Sequence, residues 1–282
     1  MYSKLHRAKA PTPPGGVEVV DSTCKTRAMG RFASTVEFYA RYRESYPPEF
    51  FASVAERIGL RGTETLLDVG CGPGLLALGF APYVARCSGV DPEAAMITAA
   101  ESAAAEAGVA LSLIHGRIEE FSGENPFDVV TIGRALHWMD RTVALPVLER
   151  IVSGAGHILI CRASSVETPD TPWMKAYDEV RRGWASEAGE QRHRVDAKEW
   201  FAGAGFSELD TVSVTECREV TIADLVGRSL SRSITSPAVL GERRAAFEAE
   251  ITATLEPFAK NGVLQEQIVA RAAIFTRRQP GE

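Results

Sequence analysis

The stretch that decides the fold is Leu66-Leu67-Asp68-Val69-Gly70-Cys71-Gly72-Pro73-Gly74. Apolar residues lead into an acidic residue, and three glycines then follow at every second position. Glycine lacks a Cβ atom and tolerates positive φ, so a loop of this kind lets the backbone approach a ligand closely. A buried strand, a glycine loop and a helix N-terminus form the usual nucleotide-type site of a doubly wound α/β sheet. The stretch therefore predicts that fold class.

The spacing of the glycines argues against a nicotinamide dinucleotide. The dinucleotide fingerprint is G-x-G-x-x-G, whereas this loop has G-x-G-x-G and places Leu75 where the third glycine is needed. No Gly-Lys-Ser/Thr sequence follows, which excludes a P-loop. The loop also holds no basic residue that could meet a pyrophosphate.

Two carboxylates indicate a different ligand. Asp68 stands just before the first glycine and suits a ligand with positive charge, such as S-adenosylmethionine with its ammonium and sulfonium groups. Asp91 ends a second short apolar segment, about 20 residues beyond the first glycine, the offset of a carboxylate that binds ribose hydroxyls. An aspartate before a proline is also common in turns, but the combined spacing favours ribose binding.

Apolar segments alternate with helical segments along the chain. Strands are predicted around 66–69, 87–90, 111–114, 128–132, 157–161, 209–214 and 268–276, and helices around 75–81, 93–106 and 144–151. Such alternation is typical of a parallel sheet covered on both faces. We therefore expect an α/β fold with a doubly wound, mostly parallel seven-stranded sheet of Rossmann-like type.

The remaining segments suggest a single domain behind a tail. Residues 1–28 are rich in Pro and Gly and are expected to form a flexible tail, and 29–282 a single domain. Within it, helical segments are expected at about 29–60, 172–204 and 221–260. Because ligands of this fold lie at the carboxyl ends of the strands, these segments are candidates for a lid over the site. The alternative is that they only complete the core.

Composition narrows the class of protein. The chain has 282 residues, is 45% hydrophobic and carries a formal charge of -6, which disfavours an extended nucleic-acid surface. Its five cysteines form no C-x-x-C pair, so we expect reduced thiols and no metal site. Neither a membrane-spanning apolar run nor the apolar core of a signal peptide is found. A cytoplasmic enzyme without membrane or nucleic-acid partners is expected.

These motifs resemble the class I S-adenosylmethionine-dependent methyltransferases, from about residue 32 onward. The closer similarity is to the small-molecule branch of trans-aconitate methyltransferase-like proteins. The glycine loop and Asp91 match the first two motifs of the family, and 115–120 matches the position where it binds adenine. Residues 127–132 match the fourth strand, which leads into a His137-Trp138 signature. Residues 39–47 resemble the N-terminal Tyr…Arg…Tyr-Pro segment, except that Glu44 stands where the family commonly has proline.

The resemblance implies site residues as well as a cofactor. Substrate contacts are expected from Tyr42, Tyr46 and Trp138. Candidate ligands of S-adenosylmethionine, and of its product S-adenosylhomocysteine, are Tyr39, Arg43, Asp68, Gly70, Cys71, Gly72, Gly74, Asp91, Pro92, Met96, Arg117, Ile118, Glu119, Gly133 and Arg134.

His137 is the candidate general base. It follows the fourth strand, where methyltransferases place residues that face the acceptor, and the ordinary histidine pKa of about 6.5 suits proton transfer. The alternative is that it holds the substrate or braces Trp138 through a hydrogen bond.

Several arginines are open to two interpretations. Tyr39 and Arg43 are four residues apart and would share one face of a helix. Arg43 could then bind a carboxylate of the cofactor or the acceptor, or instead pair with Glu44 or Glu49 at the surface. The arginines at 218, 228, 232, 243 and 244 could form an anion pocket, although a solvated helix face is the expectation for most of them.

The sequence thus predicts a methyltransferase that acts on a small molecule through a carboxylate, hydroxyl, amine or carbon acceptor. One alternative is a methyltransferase for RNA, DNA or protein, although the segment after the fourth strand lacks the Asn/Asp-Pro-Pro-aromatic signature of amino-base enzymes. Another is a protein that binds the cofactor without transferring methyl, and a nicotinamide dehydrogenase is more distant. The sequence names neither the acceptor nor the oligomeric state.

Overall fold

The predicted seven-stranded sheet is confirmed. A computed structural model describes residues 35–185 and 195–278, so the predicted tail 1–28 lies outside the described residues. The strands follow the order β3-β2-β1-β4-β5-β7-β6. Their bounds are β1 Thr65–Val69, β2 Arg86–Asp91, β3 Leu111–His115, β4 Phe127–Gly133, β5 Val152–Ser165, β6 Phe206–Thr221 and β7 Val263–Arg277.

Strand direction places a crevice beside β1. The strand β1 pairs in parallel with both β2 and β4, so the strand order reverses at this point. In open α/β sheets, ligands bind outside the carboxyl ends of the strands at such a switch point. The strand β7 pairs antiparallel with β5 and β6, which makes the sheet mostly rather than wholly parallel. The glycine loop at 70–74 follows β1 at this edge.

Ten α-helices are found in the described ranges. They are α1 Val36–Tyr42, α2 Pro48–Ile58, α3 Leu75–Phe80, α4 Ala94–Ala107, α5 Arg141–Ile151, α6 Trp173–Trp184, α7 Ala197–Trp200, α8 Ile222–Leu230, α9 Pro237–Leu240 and α10 Arg244–Leu255. Short 3₁₀ turns cover Ala81–Tyr83, Ile118–Glu120, Leu136–Trp138, Gly241–Arg243 and Glu256–Phe258.

Helices cover both faces of the sheet. On one face, Phe50 of α2 and Phe80 of α3 are fully buried against Leu66 of β1. On the other face, Leu148 of α5 packs with Leu67 of β1. Full burial of such a side chain contributes about 1.5–3 kcal/mol to the stability of the fold. The two helical layers therefore hold β1, and the glycine loop that follows it, in place.

The helices outside the sheet form a cap with a core of its own. Buried side chains of α6, α8 and α10, among them Trp173, Leu225 and Phe247, pack together with Leu264 of β7. The helix α1 joins this cap because Gly227 of α8 has no side chain: a Cβ atom there would lie 2.4 Å from the Tyr42 ring. The segments predicted at 172–204 and 221–260 therefore do more than complete the core under the sheet.

Within residues 35–185 and 195–278, no helix combines the length and the apolar character that crossing a membrane needs.

Candidate active site

A cavity of about 430 Å³ opens at the carboxyl ends of β1, β2 and β4, beneath the cap. This volume lies in the range of pockets that bury a small-molecule ligand. The structure brings together there most of the residues predicted for the cofactor, namely Tyr39, Arg43, Gly70, Gly72, Asp91, Pro92, Met96, Arg117, Ile118, Glu119, Gly133 and Arg134. His137 and Trp138 line the same cavity.

The glycine loop shapes the floor of the cavity. Gly70 and Gly72 have φ values of 66° and 53°, in the left-handed region that favours glycine. A Cβ atom on Gly70 would lie 2.5 Å from the Cβ of Ala135, so the loop and the segment after β4 touch only because this side chain is missing. A Cβ atom on Gly72 would meet nothing closer than 3.9 Å and would project toward the cavity.

Asp91 fixes the loop to the end of β2. Its Oδ2 accepts a hydrogen bond of 2.8 Å from the Gly72 N–H, and its Oδ1 accepts one of 2.9 Å from the Glu93 N–H. Burial raises the pKa of this carboxyl, and the two backbone donors oppose that rise. A carboxylate has about four lone-pair sites, so Asp91 can still accept hydrogen bonds from ligand hydroxyls in the cavity.

Asp68 lies beneath the loop and lines a small adjoining cavity. Its Oδ1 accepts a 2.8 Å hydrogen bond from the Thr131 hydroxyl, and burial raises the pKa of Asp68 to about 7, with the charge of Asp91 adding to the rise. Tyr46 and Cys71 line this smaller space with Asp68 rather than the main cavity. Among the described residues, nothing hydrogen-bonds to the buried Tyr46 hydroxyl.

The structure does not bring Tyr42 and Gly74 to either cavity. The Tyr42 ring packs on Gly227 in the cap and stacks with Phe38 at 6.2 Å, so it stabilises the cap instead of facing the cavity. Gly74 is the N-cap of α3 with a φ of 86°, and a Cβ there would lie 3.6 Å from the Ala100 and Leu78 side chains. This glycine permits a turn in the core.

One end of the cavity carries acidic and backbone groups. Arg117 donates a 2.8 Å hydrogen bond to Glu119, whose Oε1 also accepts one of 2.9 Å from the Asp140 N–H. Ile118 is buried beside them. The sequence prediction missed seven other lining residues, which lie next to predicted ones or, for Ser233, in the cap: Val69, Val90, Glu93, Gly116, Ala135, Met139 and Ser233.

His137 and Trp138 lie on the 3₁₀ turn directly after β4. Their ring centroids are 4.8 Å apart, and the His137 side chain is exposed at the cavity wall. This contact brings the histidine against the indole, and its exposure leaves it accessible to a ligand. Whether His137 acts as a base, holds the substrate or braces Trp138 stays a prediction.

The opposite end of the cavity is basic. Glu44, which is 3% exposed, lies 3.9 Å from Arg43, 3.7 Å from Arg134 and 3.3 Å from Arg232. Burial opposes ionisation of Glu44, but these arginines outweigh it and hold the pKa of that carboxyl well below its usual range. Arg43 lines the cavity and pairs with Glu44, which is buried and does not lie at the surface as the second alternative had it. Binding of a ligand carboxylate by Arg43 stays a prediction.

The interpretation of Arg228 as part of a solvated helix face is wrong. Its side chain is 3% exposed and pairs with Glu266 of β7, which also accepts a 3.0 Å hydrogen bond from Arg218. The guanidinium of Arg228 further donates to the Tyr42 carbonyl at 3.2 Å. This ion pair ties the cap helix α8 to the sheet.

Comparison with known proteins agrees with this geometry. Residues 66–154 match the family model described as a methyltransferase domain. An uncharacterised methyltransferase of Mycobacterium tuberculosis is 29% identical over 252 residues, which cover 86% of this chain and 94% of that protein. The ubiquinone biosynthesis O-methyltransferase of Serratia proteamaculans is 31% identical over 126 residues, covering 44% of this chain and 51% of that protein.

Solved structures share the fold. A protein of Anaeromyxobacter dehalogenans described as a type II methyltransferase superposes with a TM-score of 0.61 at 20% identity, over 84% of this chain and 98% of that chain. A methyltransferase of Geobacter sulfurreducens, solved with S-adenosyl-L-homocysteine, has a TM-score of 0.52 at 18% identity, over 89% and 99%. The solved structures show the same fold. The domain match and the named relatives identify an S-adenosylmethionine-dependent methyltransferase. The chain is an enzyme of this type.

Proposed function

We propose that this methyltransferase binds S-adenosylmethionine in the cavity at the end of β1 and transfers the methyl group to a small-molecule acceptor beneath the cap. Asp91 would hold the ribose hydroxyls, and the segment from Arg117 to Glu119 would hold the adenine. Asp68 would attract the ammonium group from beneath the glycine loop. The Glu44-linked arginines would face the carboxylate of the methionine moiety or the acceptor.

The position of Asp91 is the observation that carries this proposal. Its carboxylate ends β2, binds the backbone of the glycine loop and still faces the cavity. In doubly wound folds, a carboxylate at this point accepts hydrogen bonds from ribose hydroxyls. The glycine cradle, the volume and this acceptor together fit a nucleoside with a short charged tail.

The cap supports a small acceptor. Tyr39 of α1 and Ser233 of the cap line the cavity, so the cap borders the space in which an acceptor would bind. The similarity to a ubiquinone biosynthesis O-methyltransferase agrees with a small-molecule acceptor. The narrower resemblance to trans-aconitate methyltransferase-like proteins rests on residues 39–47 and on His137-Trp138, and it is part of this proposal.

Methyl transfer requires mainly that the cofactor and the acceptor are correctly positioned and shielded from water. The cofactor supplies a methyl group on a positively charged sulfur, and that charge disappears during an in-line displacement. Residues that hold both reactants in line and exclude water therefore account for much of the rate. His137 would take a proton only where the acceptor must lose one, as a hydroxyl or carbon acid does, and a carboxylate acceptor would not need it.

The proposal is tested by incubating the protein and methyl-labelled S-adenosylmethionine with three separate fractions of a cell extract: low-molecular-weight compounds, RNA and protein. Label is expected in the low-molecular-weight fraction, and not in RNA or protein. The Gly72→Val variant serves as the control for label that arises without the cavity. Label in RNA or protein alone would favour the macromolecular alternative, and binding without any transfer would favour a protein that only holds the cofactor.

We also propose a cytoplasmic location without a metal, membrane or nucleic-acid partner, and a single catalytic domain from residue 29. Cys71, Cys87, Cys161 and Cys217 are free thiols, three of them buried, which is typical of proteins in a reducing compartment. Measured distribution of the protein between cell fractions tests the location.

A further inference from the structure

The basic end of the cavity has more positive charge than its partners balance. Three guanidinium groups, from Arg43, Arg134 and Arg232, lie within 4 Å of the single carboxylate of Glu44. Glu44 is also the residue that departs from the family pattern in the 39–47 segment. The side chains of Arg43, Arg134 and Arg232 are 15%, 17% and 30% exposed. A cation that is largely withdrawn from water needs a partner charge, because desolvation without one is costly.

Two of these arginines have unused donors. The Nε atoms of Arg43 and Arg232 are buried and have no hydrogen-bond partner among the described residues. Buried donors are rarely left unsatisfied, so an absent acceptor is the simplest reason for these two atoms, one on an arginine that lines the cavity and one on an arginine next to the lining residue Ser233. Burial and the neighbouring charges of Arg181 and Arg43 lower the pKa of Arg232 to about 10, as expected for a cation with too little negative charge around it.

The cofactor cannot balance this excess. S-adenosylmethionine carries an ammonium, a sulfonium and one carboxylate, so it adds one net positive charge to the cavity. Its carboxylate could pair with one arginine, which leaves a second without an anion. The acidic residues that line the cavity are Asp91, Glu93 and Glu119. Asp91 and Glu119 have backbone or arginine partners of their own.

We propose that the methyl acceptor carries an anionic anchor, a carboxylate or a phosphate, which binds between Arg43 and Arg232 beside Ser233. Arg43 and Ser233 line the cavity, and Arg232 precedes Ser233 in the chain and shares Glu44 with Arg43. A planar guanidinium offers two parallel donors that match either oxyanion. This inference rests on the proposed function, because it names the substrate class of the same site.

The anchor is not the atom that receives the methyl group. An oxyanion that accepts hydrogen bonds from two guanidinium groups is stabilised in its ground state and is a weaker nucleophile. The reacting atom therefore lies elsewhere on the acceptor, toward His137 and Trp138 on the turn after β4. The acceptor class is a small molecule with an anionic group at one end and a separate nucleophilic atom.

Calorimetric titration of probe anions into the full-length protein saturated with S-adenosylhomocysteine tests the anchor. Glutarate and glycerol phosphate represent the two sources of an oxyanion, and glutaramide is the neutral match of glutarate. At least one anion is expected to bind and glutaramide is not. The Arg232→Gln variant is expected to bind that anion about tenfold or more weakly, since it loses a charge-assisted hydrogen bond. Arg232→Lys, which keeps the charge without the fork, is expected to recover part of the loss.

Arg182→Gln is the matched control, because Arg182 is an exposed arginine of the same cap. The Arg182→Gln protein is expected to bind the anion as the unchanged protein does. Unchanged affinity of Arg232→Gln for S-adenosylhomocysteine shows that the variant is folded. Equal anion binding by Arg232→Gln and the unchanged protein, or no anion binding at all, overturns the anchor while leaving the proposed function intact. Failure of S-adenosylhomocysteine to bind the unchanged protein overturns the proposed function and the anchor together.

Discussion

Replacement of Asp91 by alanine gives a quantitative test of the ribose assignment. The substitution removes the acceptor for the Gly72 and Glu93 N–H groups and, under the proposed function, the acceptor for the ribose hydroxyls. A hydrogen bond to a charged group contributes about 1.5–3 kcal/mol, and water that enters the cavity replaces part of it. We therefore expect the binding free energy of S-adenosylhomocysteine to weaken by about 1–3 kcal/mol, which is roughly a 5- to 150-fold rise in Kd.

The assay has to separate a lost ribose contact from a weakened fold, and Asp128 provides the control. Asp128 lies at the opposite end of the sheet and accepts hydrogen bonds from the Thr65 N–H at 2.9 Å and the Thr65 hydroxyl at 3.0 Å. Asp128→Ala should lower the free energy of unfolding in urea, as we also expect for Asp91→Ala, but it should not change the Kd measured by calorimetry. An Asp91→Ala protein that binds S-adenosylhomocysteine as tightly as the unchanged protein would refute the assignment.

Four further substitutions or conditions have defined outcomes. Gly72→Val should abolish S-adenosylhomocysteine binding in calorimetry while the protein stays folded, because the new side chain would project into the cavity from a backbone at positive φ; measurable binding would contradict this. His137→Ala should lower kcat with little change in cofactor Kd if the residue acts on the acceptor side, and unchanged turnover would reject that role. The affinity for S-adenosylhomocysteine should rise between pH 6 and pH 8, because the pKa of Asp68 is about 7 and only the ionised carboxylate attracts the ammonium group of the ligand. Asp68→Asn should remove this pH dependence. Since the pKa of Asp68 is raised on folding, its contribution to stability is present at low pH and is lost as pH rises through 7. Glu44→Gln should lower the free energy of unfolding by about 3 kcal/mol in urea titrations, because it leaves Arg134 and Arg232 without their carboxylate partner. An unchanged urea midpoint of unfolding would contradict a stabilising role of these ion pairs.

The local sequence determined most of the sheet and the floor of the cavity. The glycine loop and Asp91 depend on backbone conformation and on spacing within one βαβ unit, so their positions could be predicted from residues 66–92 alone. The strands β6 and β7 are longer than predicted, because their antiparallel pairing continues from Phe206 to Thr221 past the body of the sheet.

The cap could not be predicted in the same way. Arg232 donates a hydrogen bond to Glu44, 188 positions earlier in the chain, and Arg228 of α8 donates one to the Tyr42 carbonyl of α1. These long-range contacts hold the segment that brings Ser233 to the cavity. Tyr42 belongs to a motif that suggested a substrate contact, yet its ring fills the space left by Gly227, a pairing that no local pattern reveals. The burial of Arg228 depends in the same way on Glu266, which lies on a distant strand.

A crystal structure of the protein with S-adenosylhomocysteine is the most direct test of the central claim. The claim predicts the ribose hydroxyls within hydrogen-bond distance of the Asp91 carboxylate, the adenine beside Ile118, and the sulfur directed toward His137 and Arg43. A ligand bound outside this cavity, or a ribose that does not contact Asp91, would contradict it.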